Sequence, residues 1–233
     1  MRKLVSDNRF IADEYLVFND VYQEIVKKYP FTISNENGKL VLSHRRLKLV
    51  QVVDCREDRK QYEDIMYKYA DYCKFQHGAD IDVNKLNINE MFNCECLHNL
   101  SDKYPMFFGY NNKNELIGIF GFRKSLNLKT NSGIDVNLQE ISIRTNCKNN
   151  TGLAIYGGIA FFMIYAYAMK HKVDIFMSTL HFLRSTMFHV SDICRYNYIK
   201  TKTRYVDVFD SDIMLDLWTT QKDEGIRNLL VQS

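Results

Sequence analysis

The segment Leu138–Arg144 (LQEISIR) carries a carboxylate, a hydroxyl and a guanidinium at every second position. In a β-strand such positions share one face, so Glu140, Ser142 and Arg144 are expected side by side, with the two isoleucines on the other face. A carboxylate placed there could remove a proton from an amine, directly or through a water molecule. An ion pair of Glu140 with Arg123 or Arg144 explains the same residues, because structural ion pairs often resemble active sites.

The polar turn after this strand is a candidate anion site. It opens a long helix that is apolar on nearly every face and is therefore expected to be buried against a sheet. The first amides of a helix lack intrahelical partners, and the helix dipole is positive there, which favours a phosphate group. Gly152 could instead be only a turn or packing residue. The turn consists of Asn149, Asn150, Thr151, Gly152, Leu153 and Ala154.

Two further side chains could supply a proton during catalysis. His189 and Tyr196 follow the buried helix, and both residue types can donate a proton to a leaving group. The alternative is that they are core or rim residues, which is more common for such side chains.

Other polar clusters have competing explanations. Cys94, Cys96 and His98 form a CxCxH cluster, but no second pair at zinc spacing follows, so no metal site is expected. Three cations within Lys200–Arg204 share one strand face, where they could protect a sheet edge or contact a phosphate or an acidic partner. The six cysteines are scattered through the chain, which is typical of reduced thiols in a cytoplasmic protein.

The composition indicates a packed globular protein. The 233 residues are 46% hydrophobic and include 15 Phe and 15 Tyr, which excludes a disordered chain. The net charge of +3 gives no indication of a nucleic-acid or membrane partner. No secretory signal is recognised, and the apolar stretch Leu153–Met169 is shorter than the roughly 20 residues that a bilayer requires.

The hydrophobic periodicity predicts the elements that position these residues. Residues 10–29 form a helix that ends at Pro30, and a hairpin turns at Asn35–Gly38. The strand after the buried helix is expected to be parallel to the one before it. The tail 213–230 is expected to be helical around Trp218. The remaining strands are predicted at Leu47–Val53, Tyr104–Tyr110, Leu116–Arg123, Val136–Arg144, Val173–Leu180 and Tyr196–Phe209, and the remaining helices at Arg56–Phe75 and His181–Val190, with a short one near Ile88–Phe92.

This order of elements resembles the fold of the GNAT superfamily of N-acetyltransferases over residues 47–209. The resemblance implies an α+β fold with a mixed central sheet, a V-shaped cleft, a buried central helix and an extra N-terminal helical arm. In that superfamily a turn of pattern Q/R-x-x-G-x-G/A holds the pyrophosphate of acyl-CoA, and Asn149–Ala154 is similar, with Asn149 where Gln or Arg is usual. The implied organisation is an arm at 1–46, an acyltransferase domain at 47–209 and a helical tail at 210–233.

Within this superfamily the acyl-homoserine-lactone synthases are similar in three segments. Their G-x-x-R segment resembles Gly118–Arg123, their E-x-S-R motif resembles Glu140–Arg144, and their later helix, of the type MERILRRAGW, resembles His181–Phe188.

The resemblance implies transfer of an acyl group from acetyl-CoA or another acyl thioester to the amine of a small molecule or protein. An acyl carrier protein is a possible partner. Glu140 would be the base, and Arg123, Ser142 and Arg144 would position the substrate. The other hypothesis is a GNAT-shaped protein without catalysis, acting in binding, inhibition or assembly. The Lys, Asn, Ile and Tyr bias is typical of an AT-rich genome, for example that of a phage or another virus.

Overall fold

The computed structural model describes residues 18–77, 82–99, 103–129, 133, 135–145, 153–180, 184–202, 215–221 and 224–232. In these ranges nine strands form one sheet in the order β1-β2-β3-β4-β5-β6-β7-β9-β8. Every neighbouring pair is antiparallel except β6 and β7, which are parallel as predicted. The strands are β1 Thr32–Glu36, β2 Lys39–His44, β3 Leu47–Gln51, β4 Met106–Asn111, β5 Leu116–Lys129, β6 Asp135–Thr145, β7 Ile175–Leu180, β8 Asn197–Lys202 and β9 Leu215–Thr219.

Helices cover both faces of this sheet. The described part of the first helix, α1, spans residues 18–28. The later helices are α2 Arg56–His77, α3 Ile88–Asn99, α4 Gly158–Lys170, α5 Arg184–Cys194 and α6 Glu224–Gln232, with a 3₁₀ turn at Val83–Lys85 and a π-helical turn at Leu153–Gly157 directly before α4.

The predicted hairpin between β1 and β2 is confirmed. Glu36 pairs with Lys39, which leaves Asn37 and Gly38 as a two-residue loop. Both residues have positive φ, 53° and 78°, and this is the backbone of the type I′ turn that Asn-Gly favours. Because β2 also pairs with β3, the hairpin extends the same sheet that contains the later strands.

The predicted buried helix is α4, in which residues 159–169 are all buried. Val21 and Ile25 of α1 belong to the same apolar cluster as α4 and as Ile141 of β6. The opposite face of the sheet carries two smaller clusters. One includes Met66 of α2 with residues of α3, and the other includes Leu138 of β6 with residues of α6.

The prediction of a helix around Trp218 is wrong. Trp218 lies in β9, where it pairs with Met177 of β7 and Tyr198 of β8. A helix in this tail begins only at Glu224. The period-2 pattern was hidden because Asp216, which is fully buried, occupies a position where an apolar residue is expected.

Gly158 of α4 does not mark a close contact between the helix and the sheet. A Cβ atom added at Gly158 would meet nothing within 4 Å. Close approach occurs instead in the sheet. At Gly121, φ is +134° and an added Cβ would lie 2.5 Å from the Pro105 carbonyl oxygen.

Candidate active site

The parallel strands β6 and β7 separate at Glu140. Their pairing covers only Gln139 with Ile175 and Glu140 with Phe176. Beyond Glu140, β6 continues to Thr145 beside β5, whereas β7 continues to Leu180 beside β9. The two strands therefore form the limbs of a V-shaped cleft that opens towards their carboxyl ends, with Glu140 at its vertex.

A β-bulge in β5 lies directly opposite Glu140. Phe122 pairs with Ile141 and Ser125 pairs with Gln139, so two residues of β5, Arg123 and Lys124, oppose Glu140 alone. Bulges re-aim side chains and often occur beside active sites. A single-strand pattern could not reveal this bulge, because a bulge depends on the register of two strands.

The polar residues of β6 lie on one face, as the alternation predicted. Glu140 is 4% exposed, and its Oε2 lies 3.8 Å from Arg123 Nε. Arg144, which is 3% exposed, donates from Nε to Ser142 Oγ at 3.1 Å. Ile141 and Ile143 pack against the α4 cluster on the other face. The structure therefore brings Arg123 and Glu140 together, and Ser142 and Arg144 together, along one limb of the cleft.

These side chains lie between the two apolar clusters of their sheet face. Arg144 Nη1 approaches Met66 Sδ of α2 at 3.1 Å. On the other side of Glu140, Leu138 and Phe176 pack with α6. No sequence pattern links Met66 or Phe176 to this site, because their contacts arise between elements that are distant in the chain.

The proposed phosphate turn falls mostly outside the described residues. Positions 149–152 are not described, whereas Leu153 and Ala154 begin the π-helical turn. This turn leads directly into α4, so the buried helix starts on the side where β6 ends. Single π turns of this kind frequently occur at functional sites.

The two predicted proton donors lie away from Glu140. The Tyr196 hydroxyl donates to the Met187 carbonyl at 2.6 Å, and Tyr196 belongs to the α4 cluster, on the sheet face opposite Glu140. Burial, and to a lesser extent Cys194, raises the pKa of Tyr196. His189 has an exposed side chain on α5.

The CxCxH segment lies in α3, but the side chains of Cys94, Cys96 and His98 are outside the described set. Among the side chains that are described, no group of three or more His, Cys, Asp or Glu could hold a metal ion. None of the described helices is long and apolar enough to cross a bilayer.

No protein-family model matches the sequence, and no curated protein is significantly similar to it. Solved structures with a similar fold include RimL, the ribosomal L7/L12 alpha-N-protein acetyltransferase, in complex with coenzyme A, at a TM-score of 0.51 and 9% identity, covering 75% of this chain and 93% of that one. Apo RimL has a TM-score of 0.50 at 9% identity, with 81% and 93% covered. A GNAT-family acetyltransferase from Staphylococcus aureus Mu50 is similar at a TM-score of 0.46 and 11% identity, with 74% and 97% covered. The likeness to RimL confirms the predicted α+β GNAT fold.

Proposed function

We propose that the protein transfers an acyl group from an acyl-CoA thioester to an amine. The observation that carries the proposal is the position of Glu140 at the vertex of the cleft between β6 and β7. In a sheet of the GNAT fold, a buried carboxylate at that point lies where a thioester entering the cleft would meet an acceptor.

The donor is proposed to lie along the β6 limb. Residues 141–145 do not pair with β7, so an extended ligand that contains amide groups, such as the pantetheine arm of CoA, can lie beside this strand as an added strand would. The phosphates of the same ligand are proposed to bind at the predicted turn Asn149–Ala154, which precedes the buried helix in the sequence.

Glu140 is proposed as the base in this reaction. The acceptor ammonium gives one proton to Glu140, and the nitrogen lone pair attacks the thioester carbonyl carbon. The C–N bond forms, the C–S bond breaks, and the sulfur leaves with the bonding electron pair. A second proton passes from the nitrogen to the thiolate, and Glu140 releases its proton to solvent, so the products are an amide and free CoA.

The acceptor is proposed to approach from the face that carries Ser142 and Arg144, between the α2 and α6 clusters. His189 and Tyr196 remain the proposed carriers of this second proton, since either would give a proton to the thiolate and regain one from the nitrogen. Of these two, His189 has the exposed side chain.

Native mass spectrometry of protein purified from cells, followed by calorimetry with CoA and acetyl-CoA, tests the donor. A panel of amines, including polyamines, amino acids and peptide N-termini, then tests transfer. We expect bound CoA and acetylation of at least one acceptor class, and the Glu140→Gln variant should lower turnover by about 10²–10⁴-fold. Folded protein that gives no binding heat at millimolar ligand would overturn the proposal and favour the non-catalytic binding protein.

Two narrower assignments belong to the same test. An acyl carrier protein loaded with an acyl group replaces acetyl-CoA in one set of reactions, and a lactone product is sought by mass spectrometry. Transfer only from the carrier protein, with a lactone as product, would place the protein with the acyl-homoserine-lactone synthases.

A further inference from the structure

We propose that the two-residue turn made by Arg45 and Arg46, the arginine turn, docks an acidic segment of a protein, and that this protein carries the acceptor amine. The second part of this inference rests on the proposed function. The inference gives a role to two arginines that the acyl-transfer step itself does not use.

The arginine turn does not follow the usual chemistry of a β-hairpin. His44 pairs with Leu47, so the loop between β2 and β3 consists of Arg45 and Arg46 alone, and both are exposed. Two-residue hairpin loops favour Asn, Asp and Gly, because they usually need positive φ. The hairpin between β1 and β2 meets this rule with Asn-Gly, whereas neither arginine has positive φ. The turn therefore does not explain why two arginines stand there.

His44 supplies the contact that holds this turn. The Arg46 amide donates to His44 Nδ1 at 3.2 Å, much as a turn amide donates to an Asn or Asp side chain. Burial, and then the charges of Arg45 and Arg46, lower the pKa of His44, so both guanidinium groups lie close to the ring. The turn thus places two cations side by side, and neither of their side chains is needed to close it.

The arginine turn differs in its ion pairs from the strands beside it. Lys48 of β3 pairs with Glu36 of β1 at 2.7 Å. Within the part of the chain that the structure describes, the side chains of Arg45 and Arg46 make no ion pair or hydrogen bond. Arginine binds carboxylates through two parallel hydrogen bonds, so the pair is available to carboxylates of another molecule.

The arginine turn lies at the edge of the sheet where the cleft opens. Leu47 directly follows the turn and pairs with Asn111, the last residue of β4. The strands β4 and β6 are both antiparallel to β5, so their carboxyl ends lie at the same edge. The turn is about 30 Å from Glu140, since about nine strand residues at about 3.3 Å each separate their levels in the sheet. An extended peptide of about nine residues spans this distance.

The charge pattern favours an acidic protein over a nucleic acid. A nucleic acid is held by cations that neutralise several phosphates along its backbone. Arg45 and Arg46 form one compact pair of charges, and the net charge of +3 adds no wide positive field. A compact pair matches the few carboxylates of a short acidic segment.

Fluorescence anisotropy with a labelled oligo-glutamate peptide, acetylated at its N-terminus, measures docking without acyl transfer. The full-length protein should bind this peptide, and more weakly as the salt concentration rises. Arg45→Asn combined with Arg46→Gly should weaken binding by about 3–30-fold. This double variant supplies the residues that hairpin turns favour, so its fold should be at least as stable as that of the parent. Arg45→Lys combined with Arg46→Lys keeps both charges and should retain most of the binding.

Lys103→Gln combined with Lys170→Gln is the matched control. These two exposed cations also lie beside a histidine, because burial and then Lys170 and Lys103 lower the pKa of His171. They lie at the opposite edge of the sheet, where β4 and β7 begin. The control should bind the peptide as tightly as the parent. Equal losses in both double variants, or tighter binding of an oligothymidine strand than of the peptide, would overturn the proposal.

Acyl transfer to designed peptides links docking to catalysis. A peptide with a free N-terminus, a spacer of about nine residues and a run of glutamates should have a lower KM than the same peptide with glutamines. The Asn-Gly variant should lose this difference and keep the parent turnover of small amines. Docking without acylation of any amine would contradict the proposed function and leave the docking site standing. Acylation whose KM responds neither to the glutamates nor to the arginine turn would overturn the docking site and leave the proposed function standing.

Discussion

Arg123 and Glu140 form a largely buried ion pair across a β-bulge, with 3.8 Å between Nε and Oε2. A buried charge that loses its partner costs about 3–5 kcal/mol. Because Arg123 is partly exposed, we expect Arg123→Met or Glu140→Leu alone to lower the free energy of unfolding by about 2–4 kcal/mol. The double variant should lose less than the sum, since the interaction between the two side chains is then lost only once.

Urea denaturation of the four proteins in this cycle measures the coupling. Losses that simply add would mean that the two side chains do not stabilise each other. The same cycle on the exposed pair Lys48 and Glu36 serves as the control and should give a much smaller coupling, because water and salt screen exposed charges.

The buried Tyr165 should make the stability of the fold depend on pH in alkaline solution. Its side chain is fully buried, and its hydroxyl donates to the Cys194 carbonyl at 2.5 Å. Burial above all raises the pKa of Tyr165 well above its ordinary value of 10.0. In the unfolded chain Tyr165 ionises near that ordinary value, whereas in the folded chain it keeps its proton. The stabilisation is therefore complete below about pH 10 and is lost as pH rises further, by up to about 1.4 kcal/mol per pH unit.

Denaturation between about pH 8 and about pH 11 checks this expectation. Tyr165→Phe should be less stable at neutral pH, because the Cys194 carbonyl loses a hydrogen bond, but its stability should fall less steeply above about pH 10. Thr186→Val, at an exposed position and without an ionisable group, should keep the parent slope. An unchanged slope in Tyr165→Phe would show that other groups govern the alkaline transition.

Two glycines should respond to alanine in opposite directions. At Gly121 the positive φ and the Pro105 carbonyl, 2.5 Å from a built Cβ, both oppose a side chain. We expect Gly121→Ala to lower the free energy of unfolding by about 2–4 kcal/mol, as strain and overpacking add. Gly158→Ala meets open space within α4 and should raise it by about 0.5–1 kcal/mol. Thermal denaturation of both variants measures these changes in stability. A destabilised Gly158→Ala would mean that a neighbouring element contacts α4 at this position.

Trp218 offers a test of the strand that the sequence pattern missed. Its indole Nε1 donates to Thr179 Oγ1 at 2.8 Å, and the residue is fully buried. Thr179→Val should leave this donor without its partner and lower the free energy of unfolding by about 1–3 kcal/mol. Because Trp218 is the only tryptophan in the sequence, its fluorescence reports this site alone, and the emission should shift in the variant. Thr186→Val, at an exposed position of α5, is the matched control and should change neither property.

The sequence predicted the parts of the fold that local chemistry determines. Asn37-Gly38 required a turn with positive φ, and the apolar run of α4 required burial, so both predictions are confirmed. The face shared by Glu140, Ser142 and Arg144 followed from the period of a strand. The β5 bulge and the separation of β6 from β7 could not be predicted, because both are properties of strand pairs. The pairing of Arg123 with Glu140 was one of two ion pairs that the sequence allowed, the other being with Arg144.

The short ladder between β6 and β7 has a mechanical consequence. Only two residue pairs join the six strands β1–β6 to the three strands β7, β9 and β8, so the two parts of the sheet share a short ladder. The α4 cluster includes residues of both parts, so the buried helix also holds them together. A ligand bound between β6 and β7 would contact both parts of the sheet. Its binding should therefore slow hydrogen exchange at the amides of Glu140 and Phe176 more than at the distant amides of β1.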